Sequence, residues 1–150
     1  MRNVELDSIF LYSGKHAPDS KYCVMELAAY IAEESWSDHP KCVSPVIAAF
    51  LRSWNDSLDN ETRQKLKPYA VRAVNTVGTA EDEERRAWMA TDWLARECAP
   101  AFLRLAGLTE HAEVLEKLVA LTGEREARDA QSKLNAAGAA ARAAAGDAAG

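Results

Sequence analysis

Between positions 20 and 123 the apolar side chains recur at every third or fourth residue, in short runs punctuated by Gly, Pro, Asn and Asp, a period that predicts helices rather than strands. The first helix is expected from about Ser20 to Glu34, capped by Asp19 or Ser20, with Val24, Leu27, Ala28 and Ile31 as its inward stripe. The second carries the strongest signal. Ser44 is its cap, Pro45 suits the first helical position because an N–H there would go unpaired anyway, and Val46, Ile47, Phe50, Leu51 and Trp54 follow in period until Asn55-Asp56-Ser57 stops it. Past the turn at Leu58-Asp59-Asn60, two short helices are expected, Glu61 to Lys67 and Pro68 to about Thr76, divided by the proline ring.

Thr79 and Asp82 form an approximate capping box, and the acids at 81–84 suit the positive end of the helix that follows. In that helix Ala87, Trp88, Met89, Ala90, Trp93, Leu94, Ala95 and Cys98 are apolar nearly all the way round, which predicts a central helix buried on more than one side. Asp92 sits within it, four residues before Arg96, and a structural ion pair is the expectation. Pro100 opens a short helix that Gly107 ends. Thr109 caps another, with Val114, Leu115, Leu118, Val119 and Leu121 inward and Gly123 at its close.

The two ends depart from this pattern. Val4, Leu6 and Ile9-Phe10-Leu11-Tyr12 are β-prone around Asp7-Ser8, which predicts a short N-terminal hairpin packed on the helices. From Glu124 onward the chain turns into an Ala/Gly-rich tail with Gly138, Arg142 and Gly146 at equivalent places of a four-residue repeat. Each glycine costs a helix about 1 kcal/mol, so this stretch is expected as a fraying helix or a disordered tail, or as a small-residue face that another helix can approach closely. The fold expectation is therefore all-α: a compact orthogonal bundle of six or seven short helices in one globular domain over 1–123, followed by a tail over 124–150.

Composition narrows the function classes. With 48% hydrophobic and 27% charged residues the chain is of ordinary globular type, and 150 residues can bury a real core. A net charge of −5 with only thin basic clusters argues against binding a nucleic acid duplex, which needs gathered Lys and Arg to displace counterions. No apolar run is long enough to span a membrane, and Ile9 to Tyr12 is too short for a signal-peptide core. Three cysteines fit reduced thiols in the cytoplasm better than a disulfide framework.

One stretch gathers the candidate chemistry. Cys23, Glu26, His39 and Cys42 read as Cys-x2-Glu, a loop, then His-x2-Cys, a spacing that imitates zinc sites built from two close pairs, with His16 as a replacement ligand. The same region could instead form a small-ligand pocket from His16, Cys23, Glu26, Asp38 and His39, where the His16 loop, the Cys23/Glu26 face and the Asp38-His39 connector converge. A hydrolytic thiol is the weaker form of that reading, since Glu26 beside Cys23 raises a thiol pKa. Asp38 and His39, as sequence neighbours, are not expected to point at one another, so no Cys-His-Asp triad is read here. The plain alternative is structural: buried cysteines behave as small hydrophobes and His39 organises a turn. The four tryptophans read as core.

The runs Tyr22-Cys23-Val24-Met25-Glu26-Leu27, Trp36-Ser37-Asp38-His39-Pro40, Ser44-Pro45-Val46-Ile47 and Trp54-Asn55-Asp56 resemble a family of small proteins from actinobacteria and their phages. The likeness continues through Lys67-Pro68-Tyr69 and Trp88-Met89-Ala90-Thr91-Asp92-Trp93-Leu94 to Leu105-Ala106-Gly107-Leu108, most of residues 16–118. It implies such an origin and carries no activity with it. Two function classes follow from the residues: a non-enzymatic module that docks on a protein partner or forms a homo-oligomer through the 124–150 tail or an exposed bundle face, or a pocket for a metal or small ligand around residues 16 to 56.

Overall fold

The structure, a computed structural model, describes residues 1–18 and 21–147, so the expected caps Asp19 and Ser20 lie outside the described residues. The chain falls into two compact units, Met1–Glu83 and Glu84–Gly150. Among the described residues every regular element is helical: eight α-helical segments, with short 3-10 and π pieces between some of them.

In the first unit the expected hairpin does not form. Ser8 turns back on Glu5, donating from both its backbone N–H (3.1 Å) and its hydroxyl (2.7 Å) to the Glu5 carbonyl. That local bonding winds Leu6–Ser8 into a 3-10 turn instead of opening a strand pair. Leu11 makes one isolated parallel bridge with Tyr22. Both main-chain groups of Leu11 are taken by the Gln64 amide, N–H to Oε1 at 2.8 Å and carbonyl from Nε2 at 3.0 Å.

Helix α1, Val24–Ala32, starts later than expected because Cys23 acts as its cap. The Cys23 sulfur accepts from Glu26 N–H at 3.4 Å while a Glu26 carboxylate oxygen accepts from Cys23 N–H at 2.7 Å, a capping box with sulfur in the place of a hydroxyl. Glu33 takes a left-handed conformation (φ 62°) at the other end, and Glu34 N–H closes back on Ala29 O at 3.0 Å. Seven of the nine residues of α1 are buried, and α1 is the central helix of this unit.

Helix α2, Pro45–Ser57, begins as the sequence predicts, with the Ser44 hydroxyl accepting from Ile47 N–H and donating to Glu83. Helix α3, Asn60–Arg63, is capped by Asp59, whose Oδ1 accepts from Glu61 and Thr62 N–H at 2.9 Å each. A 3-10 turn, Gln64–Leu66, then leads into helix α4, Lys67–Ala73, which stops short of Thr76. The core joins Leu11, Met25, Leu27, Ile31, Val43, Leu51, Leu66 and Ala70, with Val4, Leu6 and Ile9 packed against it.

Helix α5, Ala80–Trp93, carries the expected Thr79–Asp82 box, with N–H bonds of 3.0 and 3.2 Å in the two directions. It is not the buried central helix the sequence predicts. None of its residues is buried, and Met89 is 66% exposed. The acids and arginines of its first turns interleave with its apolar positions, whereas α1 holds a single charge that the capping box satisfies. A π-helical stretch, Leu94–Cys98, links α5 to helix α6, Ala99–Leu105. Pro100 lacks the N–H that the preceding turn would need, which places the irregularity there.

In the second unit α6 ends at Gly107 (φ 76°), with Leu108 N–H returning to Leu103 O at 2.8 Å. Helix α7, Thr109–Glu116, and helix α8, Glu124–Asp147, follow. Thr109 lies inside α7 rather than capping it. Leu115, Leu118 and Leu121 are buried as expected, but Val114 and Val119 face outward. The Ala-rich segment is a continuous helix over the described residues, and it belongs to the core: Ala130 and Ala137 are buried, with Leu134 and Ala141 packed beside them. Their 4-3-4 spacing is a narrow apolar seam, which small side chains fill by letting α8 come close. No helix among the described residues is long and apolar enough to cross a membrane.

Candidate functional site

The residues read as candidate chemistry all belong to the first unit, where the segment from Leu11 to His16 is tied down at nearly every step. Tyr12 N–H donates to Tyr22 O (2.8 Å), Tyr12 O accepts from the Asn55 amide (2.8 Å), Gly14 N–H donates to Asp56 Oδ1 (2.7 Å), and His16 O accepts from Trp36 Nε1 (2.9 Å). The loop is thereby pinned to α1, α2 and the connector between them.

Glu26 is the hub. Fully buried, it accepts from His16 N–H at 2.6 Å on one oxygen and from Cys23 N–H at 2.7 Å on the other, and His16 Nδ1 lies 2.9 Å from that second oxygen. With two backbone N–H groups donating already, the consistent assignment makes His16 Nδ1 the third donor. A buried carboxylate with this much satisfaction fixes a loop against a helix. The structure therefore brings together His16, Cys23 and Glu26, and gives their polar atoms structural partners.

Cys23 is no nucleophile in this setting. Burial pushes its thiol up to about 12, and the Glu26 charge adds to that while the Glu26 N–H pulls the other way. A thiol held protonated at neutral pH is a poor nucleophile.

The four residues expected to hold zinc separate into three groups. Cys23 and Glu26 go with His16. His39, with a side chain 65% exposed, lies against Asp38. Cys42 is drawn to Glu34, whose carboxylate accepts from Cys42 N–H at 2.8 Å and Lys41 N–H at 2.6 Å, and its own thiol is raised first by burial and then by Glu34, against the Asn75 N–H. Among the described residues no three His, Cys, Asp or Glu side chains are placed to hold a metal ion. The paired spacing in sequence does not survive folding because Cys23 is used as a helix cap. All three cysteines are free thiols.

Asp38 and His39 do meet, contrary to the expectation for neighbours: His39 Nδ1 stands 3.0 Å from Asp38 Oδ1, with Lys15 Nζ at 3.5 Å from the same oxygen. Asp38 Oδ1 is buried, and these two ion-pair contacts are its partners. Burial raises the Asp38 carboxyl, but His39, the Asp38 backbone N–H and the Lys15 charge outweigh it and hold the group below the ordinary carboxylate value.

Beside this pair opens a pocket of about 400 Å³, walled by Lys15 from the loop, Cys23 at the start of α1, Asp38 from the connector, and Arg52, Ser53 and Asp56 from α2. His16, Glu26 and His39 are not among its lining residues. Asn55, which the sequence suggests only as a helix stop, is fully buried and joins three segments: its Oδ1 accepts from Val24 N–H at 3.1 Å and its Nδ2 donates to Tyr12 O and Asp56 Oδ1. Arg63 is buried likewise, donating to the carbonyls of Asn55 (2.6 Å) and Leu58 and to the Asn60 side chain (2.6 Å). The signal for both was present in the sequence. Ala48, Leu51 and Asn55 share one helical stripe, as do Arg63, Leu66, Ala70 and Ala73.

In the second unit Asp92 is structural, as expected: it pairs with Arg96 at 3.3 Å and accepts from Leu121 N–H at 2.8 Å. An apolar groove of about 360 Å³ lies along α8, floored by Leu103, Leu115 and Ala137 and walled by Phe102, Gly138 and Ala141. No family model matches the chain, and no curated protein or solved structure matches it either, so both features are read from their own geometry.

Proposed function

We propose that the protein is a non-enzymatic self-association module, in which the groove of the second unit receives α6 of a second copy. The observation that carries this reading is that α6 lines that groove and also carries two strongly exposed apolar side chains, Phe102 on the groove wall and Leu105 beside it, 71% and 84% exposed. A twofold interface needs a projection and a recess on the same surface, and α6 supplies both, Phe102 and Leu105 projecting while Leu103 lines the floor. Charge favours a second copy over a strongly acidic or basic partner: residues 84–150 hold ten acidic and nine basic side chains, so like meets like with little repulsion, whereas 1–83 carry most of the net charge. The small residues Ala137, Gly138 and Ala141 let an incoming helix approach closely.

The state of Cys23, Glu26 and His16 supports the non-enzymatic half of the reading, because these three groups are engaged in holding the loop to α1. The free thiols support a reducing, cytoplasmic setting. Light scattering on the full chain after size exclusion tests the reading, together with Gly138→Leu. An added Cβ at 138, in the groove lining, meets only Arg142 Nη1, at 3.5 Å, the far end of a flexible side chain, so a side chain can start there without a clash. A dimer that Gly138→Leu converts to monomer supports the proposal; a dimer indifferent to that change places the interface elsewhere and overturns it.

A further inference from the structure

The pocket in the first unit is a different kind of surface from the groove, and its lining has a definite charge pattern. Two cations, Lys15 and Arg52, and two carboxylates, Asp38 and Asp56, line one cavity large enough for a small ligand, with Lys15 3.5 Å from Asp38 Oδ1. From this arrangement we infer that the pocket binds a small zwitterion of the amino-acid class, its ammonium group on Asp38 and its carboxylate on Arg52.

Each polar group has capacity for that role. Asp38 Oδ1 is buried and meets only the ion-pair contacts of His39 Nδ1 at 3.0 Å and Lys15 Nζ at 3.5 Å, with no well-formed hydrogen bond, so a ligand ammonium group can compete for it. Against the burial that raises it, the His39 contact and the Lys15 charge hold the Asp38 carboxyl below its ordinary value, and Lys15, whose side chain is 70% exposed, can swing aside or turn to the ligand carboxylate. Arg52 donates one N–H to Asp38 O at 3.0 Å, leaving the rest of its guanidinium for the planar, two-point pairing that carboxylates accept. Asp56 uses only Oδ1, for Gly14 N–H and Asn55 Nδ2, which leaves Oδ2 for a second ammonium bond. Cys23 and Ala49 give the pocket an apolar wall for a short aliphatic side chain. A simple anion would meet two carboxylates here, and a simple cation would meet two cations. A ligand bearing both charges avoids both penalties and gains both attractions, which an uncharged ligand does not. The walls are held by the Asn55 and Glu26 bonds, so the site is largely formed before a ligand arrives.

Amide chemical shifts of the full chain test this, recorded against alanine, serine and valine, and against ethylamine and propionate, each carrying only one of the two charges of alanine. Saturable shifts confined to the Gly14–Lys15, Asp38–His39 and Arg52–Asp56 amides are expected with at least one amino acid, and none with ethylamine or propionate. Losing one charge-assisted contact should weaken binding roughly tenfold or more in Asp38→Asn and in Arg52→Gln. Lys15→Ala, at an exposed position, keeps the test independent of folding and should weaken it less. Absence of shifts with every amino acid, or equal shifts with ethylamine or propionate, overturns the inference.

Discussion

Replacing Asn55 with Ala should loosen the start of α1 more than any surface change in the first unit. The side chain is fully buried, and its loss strands two main-chain groups, the Val24 N–H and the Tyr12 carbonyl, in surroundings that offer no substitute. A buried donor or acceptor left unpaired costs about 1–3 kcal/mol, so the pair costs about 2–6 kcal/mol, a large part of the 5–15 kcal/mol that stabilises a typical domain. The third bond, to Asp56, adds little because Asp56 is exposed. Hydrogen exchange followed by mass spectrometry on peptides spanning α1 reads the effect directly, as a fall in protection of that size. Asn55→Asp makes a second probe: it keeps an acceptor for Val24 N–H but turns an oxygen toward the Tyr12 carbonyl and Asp56, so it too should lose protection. If Asn55→Ala lowers the protection of α1 by less than about 0.5 kcal/mol, the range of an ordinary surface substitution, Asn55 is not the tie described here and the reasoning fails.

Two further predictions concern titrating groups. Cys23, with its thiol raised to about 12, should resist alkylation in the native protein at mildly alkaline pH and react once the chain is unfolded; mass spectrometry without reductant should find neither Cys23 nor Cys42 in a disulfide, and rapid native labelling of Cys23 would contradict the burial argument. Glu34 is raised by burial but lowered further by the Lys41 and Cys42 N–H groups, so its folded pKa lies below the ordinary 4.5. A depressed carboxyl contributes stability above its unfolded pKa and loses it as pH falls through the folded value. Glu34→Gln should therefore flatten the acid side of the stability profile below about pH 4.5, and an unchanged slope in urea titrations there would rule the coupling out.

Much of this fold was legible because short-range rules decided it. Ser44-Pro45, Thr79 with Asp82, and Gly107 each satisfy or release a helix end with atoms a few residues away, and such signals survive whatever the rest of the chain does. What was illegible depended on long-range partners. The Leu6–Tyr12 stretch is β-prone, yet Leu11 found the Gln64 amide, 53 residues on, in place of a hairpin strand. The buried helix is α1 rather than α5, because Glu26 in the first turn of α1 has its oxygens satisfied by the His16 and Cys23 N–H groups, a compensation that spacing alone does not reveal. The Ala-rich segment looked too small-featured to pack, but a seam of Ala130, Leu134, Ala137 and Ala141 suffices when the facing helices supply Leu103 and Leu115. Of the candidate residues, Cys23 and Asp38 line the pocket with Lys15, Arg52 and Asp56, while His16 and Glu26 bond to each other and Cys42 goes to Glu34, partners that spacing in the sequence does not reveal.

Self-association is tested most directly by sedimentation equilibrium of the full chain beside Leu105→Glu. Leu105 is 84% exposed, so the substitution removes nothing from the unit's own core. At a twofold interface it removes two leucines at about 1.5–3 kcal/mol each, a loss of roughly a hundredfold or more in dimer affinity before the cost of burying the new charge is counted. The account predicts a dimer mass for the native chain, approached with rising concentration, and a monomer for Leu105→Glu under the same conditions. A native chain that sediments as a monomer at every concentration, or a Leu105→Glu variant that dimerises as well as the native protein, would contradict it.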